Sequence, residues 1–199
     1  MKQYKVAILG ATGAVGCEMM KILAERDFPV AELHLLASER SVGQLLPWKG
    51  QDIAVELACD EAFKGMDIVL GAAENDIAKR FAPAIVKAGA VFVDNSSAFR
   101  MDPDVPLVIP EINPEDARKH KGIIANPNCT TIVSLVAINA LNQDSPIESI
   151  IASSYQAVSG AGAGGPIELL NEVEPKVFQY QIAYNVIPQI GGEAFEGYT

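Results

Sequence analysis

Three cysteines and two histidines are the scarce side chains of this sequence that could do covalent or proton-transfer chemistry. Cys129 has the most favourable surroundings: it stands in Asn126-Pro127-Asn128-Cys129-Thr130-Thr131, after an apolar strand pattern and at the start of a helical one. A free thiol with a pKa of about 8.5 is only a few per cent thiolate near neutrality, and the unpaired amides and dipole at a helix start favour the anion. Local position alone fits a small buried cysteine equally well. Cys17, within a helical pattern, and Cys59, near a strand end, read as such buried apolar groups. The odd count, the wide spacing and the lack of a Cys-x-x-Cys pair point to no disulfide framework and no metal site. His34 falls in a strand pattern and His120 in a polar helical one.

The spacing Gly10-x-x-Gly13-x-x-Gly16 also carries chemistry, because it follows one apolar strand and opens a helix. Glycines there allow a tight turn, close approach of backbone to a pyrophosphate, and close helix-to-sheet packing, with the phosphates on the helix N-terminus. Thr12, Ala14 and Val15 complete that turn. A merely tight strand-to-helix connection would use the same glycines. The second strand ends Ala37-Ser38-Glu39-Arg40-Ser41, where an acid would suit ribose hydroxyls and an Arg flanked by hydroxyls a 2′-phosphate. Neighbouring side chains point apart in extended chain, so one of Glu39 and Arg40 is expected to face the ribose. The hydroxyls beside Arg40 favour NADP; a solvated polar loop is the plain alternative.

A dinucleotide turn followed by a cysteine at a helix start has a definite use. Thiolate addition converts an aldehyde to a tetrahedral thiohemiacetal, which can pass hydride to a nicotinamide and leave a thioester; phosphate can then release an acyl phosphate.

The elements that must hold these groups alternate. Strand patterns occur at Val6 to Leu9, Glu32 to Ala37, Ile53 to Leu57, Ile68 to Leu70, Val91 to Val93, Leu107 to Ile109 and Ile123 to Ala125. Most are almost wholly apolar, as strands covered on both faces are. Helical stretches lie between several of them: one through Met19, Met20, Ile22 and Leu23, one from Asp76 to Ala88 with Pro83 inside it, and Pro114 to Lys119. This alternation predicts an α/β fold, a doubly wound and mostly parallel sheet. A helix from Cys129 to about Leu141, a strand from Ile147 to Ser153 and a glycine-rich run from Ser159 to Gly165 follow. A domain boundary is expected near 130 to 145, giving domains 1–132 and 133–199, the second an incomplete α+β domain.

The composition narrows the partners. Fifteen Lys and Arg against 25 Asp and Glu give a net charge of −10, which disfavours nucleic-acid phosphates and anionic lipid. No apolar stretch reaches the roughly 18 residues of a spanning helix and no signal peptide is evident, so no membrane contact and a cytoplasmic location are expected.

The sequence resembles aspartate-semialdehyde dehydrogenase in five ordered motifs: residues 10–16 (Gly-Ala-Thr-Gly-Ala-Val-Gly), 37–43 (Ala-Ser-Glu-Arg-Ser-Val-Gly), 94–100 (Asp-Asn-Ser-Ser-Ala-Phe-Arg), 126–131, and 154–162 (Ser-Tyr-Gln-Ala-Val-Ser-Gly-Ala-Gly). The resemblance implies a Rossmann-like cofactor domain and NADP-dependent interconversion of L-aspartyl 4-phosphate and L-aspartate 4-semialdehyde, on the route to lysine, methionine and threonine. It makes Cys129 the nucleophile. Gln156, Arg100 and Asn128 become substrate contacts, with Arg100 on the phosphate. Gly10, Thr12, Gly13, Ala14, Val15, Gly16, Ser38, Arg40, Ser41, Asn95, Ser159 and Gly160 become cofactor contacts. It also implies a homodimer and an acid/base histidine beyond residue 199, without which these residues alone are expected to be inactive. Ala72-Ala73-Glu74-Asn75 departs from the family's small turn, and Glu74 would weaken bound phosphates unless it points outward. The related N-acetylglutamyl-phosphate reductase and a non-catalytic NADP-binding module are the alternatives.

Overall fold

The computed structural model describes residues 2–162, 164–171 and 174–188. Two compact units divide the chain, Met1–Ser153 and Ser154–Thr199. The first is built on a seven-stranded sheet: β1 (Tyr4–Leu9), β2 (Val30–Ala37), β3 (Leu45–Trp48), β4 (Gln51–Leu57), β5 (Ile68–Gly71), β6 (Val91–Asp94) and β7 (Ile123–Ala125). Their order is β3-β4-β2-β1-β5-β6-β7, parallel except for β3 against β4.

Alternation along the strands sends apolar residues to both faces. Val6, Ile8, Leu33, Leu35 and Val55 form one buried layer with Met20 of α1 (Ala14–Glu25). Ala7, Leu9, Leu36, Val69 and Phe92 form the other with Phe81 and Ile85 of α2 (Asn75–Lys87). The doubly wound, mostly parallel arrangement expected from the sequence is therefore present. Pro83 does not interrupt α2; the partner it denies is the carbonyl of Lys79, on an exposed residue.

Three elements differ from expectation. Leu107 to Ile109 makes only an isolated bridge, Leu107 to Ala125, because Pro106 and Pro110 bracket it and leave too few donors for a ladder. Ile147 to Ser153 makes no strand: the segment is exposed, and no strand pairs with it among the described residues. Pro114–Lys119 is a 3-10 helix. The edge strand β3 was not expected. It carries Pro47, tolerated at an edge, and joins β4 through Lys49 and Gly50, both at positive φ as a two-residue hairpin turn requires.

After β7 comes α3 (Cys129–Asp144). In the second unit, a 3-10 turn at Val158–Ala161 leads into α4 (Gly164–Asn171). Ala163 of the glycine-rich run lies outside the described residues.

Candidate functional site

The chain reverses its lateral direction at β1, going first to β2 on one side and later to β5 on the other. In open α/β sheets such a switch point, at the carboxyl ends of the strands, is where ligands bind. Gly10 leaves β1 at φ +89°, and a Cβ there would lie 2.7 Å from the Ala72 carbonyl oxygen. Only glycine lets the loops after β1 and β5 meet this closely. At Gly16 a Cβ would strike the Gly10 carbonyl, so α1 sits hard against its own entry loop. The N–H groups of Gly10 and Ala11 donate to Leu36 O, at 2.8 and 3.2 Å. Gly13 is the N-cap of α1, without a side-chain cap, and no acid stands in the first turn. Amides left open at that end suit an anion. Thr12 is half-buried and Ala14 and Val15 are exposed, so the residues present fit a dinucleotide pyrophosphate. Glu74, the N-cap of α2, is exposed.

Beyond β2, Glu39–Ser41 forms a 3-10 turn rather than the extended chain assumed above. Its residues fan out by about 120° each, which still separates Glu39 from Arg40. Ser38 and Arg40 are exposed and Ser41 is buried.

Cys129 is exposed and is the first residue of α3. Asn128 caps that helix, its Oδ1 accepting from Thr130 N–H at 2.9 Å. Asn126, Pro127 and Asn128 lead from β7 to the thiol, which therefore emerges at the same sheet edge as the glycine turn. Three strand spacings, about 14 Å, separate β1 from β7. Arg100, on the loop after β6, donates from Nε to Asn126 O at 2.9 Å and from Nη2 to Asn95 O at 3.0 Å. Among the described residues, two of its five N–H donors are thus committed to backbone and three are left for other partners. Asp94 is fully buried at the end of β6, accepting from Ser96 N–H at 3.2 Å and Ser96 Oγ–H at 2.6 Å. Burial pushes its carboxyl up, against the Ser96 bonds and the Arg100 charge that pull it down. Gly71 makes room for it: a Cβ there would lie 2.9 Å from Asp94 Oδ1.

Cys17 and Cys59 are not the buried groups expected: Cys17 is exposed on the first turns of α1, its Sγ 3.6 Å from Ala11 O, and Cys59 is half-buried. His34 contacts Glu56 (2.9 Å) and Glu32 (3.5 Å), and His120 Nδ1 accepts from Gly122 N–H.

In the second unit, Gln156 is exposed and its side chain lies over Gly160. Ser159 and Gly160 occupy the 3-10 turn, and Gly165 brings α4 against it, a Cβ there meeting the Val158 carbonyl.

A family described as "Semialdehyde dehydrogenase, NAD binding domain" matches residues 5–120, and "Semialdehyde dehydrogenase, dimerisation domain" matches 138–199. The chain belongs to the semialdehyde dehydrogenase family. Among relatives of this family, the aspartate-semialdehyde dehydrogenase of Synechocystis sp. is 53% identical over 193 residues, 92% of this chain and 57% of the relative. That of Bacillus subtilis is 44% identical over 210 residues, 98% of this chain and 61% of the relative. The solved structure of aspartate semialdehyde dehydrogenase II complexed with ASA, from Vibrio cholerae, is similar at TM-score 0.95 and 44% identity, covering 100% of this chain and 62% of that one. A Candida albicans aspartate semialdehyde dehydrogenase with NADP is similar at TM-score 0.58 and 27% identity, covering 73% of this chain and 48% of that one. The chain thus spans about 60% of the length of the curated relatives it matches. The resemblance read from the five motifs is borne out, as are the cofactor-domain fold and a nicotinamide cofactor. Sequence reasoning passed over Asn126 and Asp94, which organise the loops after β7 and β6; only their places within the motifs signalled them.

Proposed function

We propose that this chain forms the cofactor-binding and nucleophile-bearing part of an NADP-dependent aspartate-semialdehyde dehydrogenase. The observation that carries the reading is the exposed Cys129 at the start of α3, on the sheet edge that also holds the glycine turn. Residues 1–132 would bind the cofactor, and 133–199 would begin the catalytic and dimerisation domain of a cytoplasmic homodimer serving lysine, methionine and threonine synthesis.

The Cys129 thiolate adds to the aldehyde carbon, forming the C–S bond of a thiohemiacetal while the carbonyl oxygen becomes an alkoxide or hydroxyl. Held by the glycine turn from Gly10 to Gly16, NADP would supply the acceptor for the hydride on that carbon. A thioester is left on Cys129; phosphate attacks its carbonyl, the C–S bond breaks, and the acyl phosphate departs with the thiolate restored. In the reverse direction the same steps reduce the acyl phosphate. Arg100 holds the phosphate with its uncommitted N–H groups. Asn128 fixes the helix start and so the sulfur, and Gln156 orients the substrate. Gly10, Thr12, Gly13, Ala14, Val15 and Gly16 cradle the pyrophosphate. Ser38, Arg40 and Ser41 meet the 2′-phosphate, and Asn95, Ser159 and Gly160 approach the nicotinamide half.

The test uses an enzyme of the relatives' full length with aspartate semialdehyde and NADP and without phosphate, mapping the covalent thioester by peptide mass. Wild type carries the adduct on Cys129; Cys129→Ser carries none and still binds NADP. An adduct on Cys17 or Cys59 overturns the assignment. Titration with NADP and NAD extends the test: Arg40→Ala is expected to erase a preference for NADP, and equal losses for both cofactors would remove the 2′-phosphate contact.

A further inference from the structure

Asn126 has no part in the chemistry above, yet its polar groups are engaged on three sides. Its N–H donates to Asp94 O at 2.8 Å, its carbonyl accepts from Arg100 Nε, and its side-chain Nδ2 donates to Asn95 Oδ1. The β6–β7 ladder ends at Asp94 and Ala125. Beyond that pair the two strands part, one into the loop that carries Arg100 and the other into α3. The bonds of Asn126 extend the join one residue past the ladder. Asn95 is itself tied back to β5, its N–H donating to Gly71 O at 3.1 Å. From Asn126 the path to the sulfur is short and stiff. Pro127 is buried with its φ fixed by the ring, Asn128 caps the helix, and Cys129 follows.

We propose that Asn126 is the positioning residue for the Cys129 thiol: its side-chain bond to Asn95 locks the start of α3 to the loop after β6. The sulfur and the cofactor-facing Asn95 then keep one separation. The inference rests on the roles given to Cys129 and Asn95 under the proposed function. Asn126 touches no reacting atom; it acts through the backbone that it anchors. An alanine there would leave Asn95 Oδ1 without its donor and free the helix start to shift, and a displacement of about 1 Å at a reacting group can cost about a hundredfold in rate.

The test compares Asn126→Ala, Asn95→Ala and the double variant, with alkylation read on these 199 residues and turnover on an enzyme of the relatives' full length, each checked for folding by thermal unfolding. The first readout, free of cofactor and substrate, is the rate constant for alkylation of Cys129 by iodoacetamide, followed by peptide mass. The second is kcat and KM for aspartate semialdehyde. Both single variants are expected to slow alkylation by about threefold or more. Both are also expected to lower kcat by about tenfold or more while KM moves by less than about threefold. The double variant should be no worse than the worse single, because one bond is removed from either end. Should Asn126→Ala fail to fold, Asn95→Ala breaks the same bond and leaves Asn126 in place. Unchanged alkylation and kcat, or losses that multiply in the double variant, overturn the inference. A wild-type Cys129 that reacts no faster than Cys17 would instead overturn the nucleophile, a separate result.

Discussion

Gly160, within its 3-10 turn, makes room for a neighbouring side chain. A Cβ built there would fall on the amide of Gln156, with Cδ at 2.9 Å and Cγ at 3.2 Å, so the side chain of Gln156 folds back across the bare Cα. Gly160→Ala is therefore expected to turn that amide away and lower kcat for the semialdehyde by about tenfold, about 1.4 kcal/mol of barrier. Gln156→Ala should cost a similar amount and the double variant no more, while alkylation of Cys129 stays at the wild-type rate. Steady-state kinetics on the three variants, in an enzyme of the relatives' full length, checks this, and losses that multiply would separate the two residues. The glycine triplet was legible from its spacing and Cys129 was a candidate from its place at a helix start, whereas Arg100 was named only through the family motif that holds it. The seat of Gln156 on Gly160 and the two backbone bonds of Arg100 were not. A backbone carbonyl looks alike at every position, and only the fold brings Asn95 O and Asn126 O to one guanidinium.

At the scale of elements, one carboxylate ties α4 to the described chain after it by three hydrogen bonds. Glu168 is buried and accepts from the N–H groups of Lys176, Val177 and Phe178. Burial alone would raise its pKa, but the three amide donors and the Lys176 charge bring it below the ordinary glutamate value. The sign for stability follows: the clamp contributes fully above pH 4.5 and is lost as pH falls through the lower folded value. Glu168→Ala is expected to release residues 176–178 and speed tryptic cleavage after Lys176 by about fivefold or more, with Glu168→Gln between the two. Cleavage at the wild-type rate in Glu168→Ala would show that the segment is held by other contacts. Lowering the pH should have the same effect on the wild-type chain, read with an acid-tolerant protease. The parallel strands and their helices were readable from apolar runs, since burial on both faces leaves a clear pattern. Leu107 to Ile109 and Ile147 to Ser153 carry the same apolar texture without a ladder, because strand formation needs a partner that composition cannot show. Pro47 hid β3, although an edge tolerates the donor it lacks.

For the molecule as a whole, charge and apolar surface oppose each other. The net charge of −10 opposes the association of copies at neutral pH. Yet α3 has no fully buried residue: Val133 is 71% exposed and Leu141 66%, and Ile151 after it is 101% exposed. Leu135, Ile138, Ile147 and Ile150 line an open groove of about 400 Å³ beside them. Apolar surface of this extent draws copies together once repulsion is removed. The chain of 199 residues is therefore expected to associate more strongly as pH falls from 7 toward its isoelectric point near 4.6, and as salt screens its charge. Sedimentation velocity across pH and salt checks this. Val133→Glu with Leu141→Glu adds charge where the apolar face would have to close, and should lower the apparent mass under every condition while leaving the unfolding midpoint nearly unchanged, because neither side chain packs in the core. If the double variant associated as the wild type does, the driving surface would have to lie away from α3, and the net charge alone would account for the pH dependence.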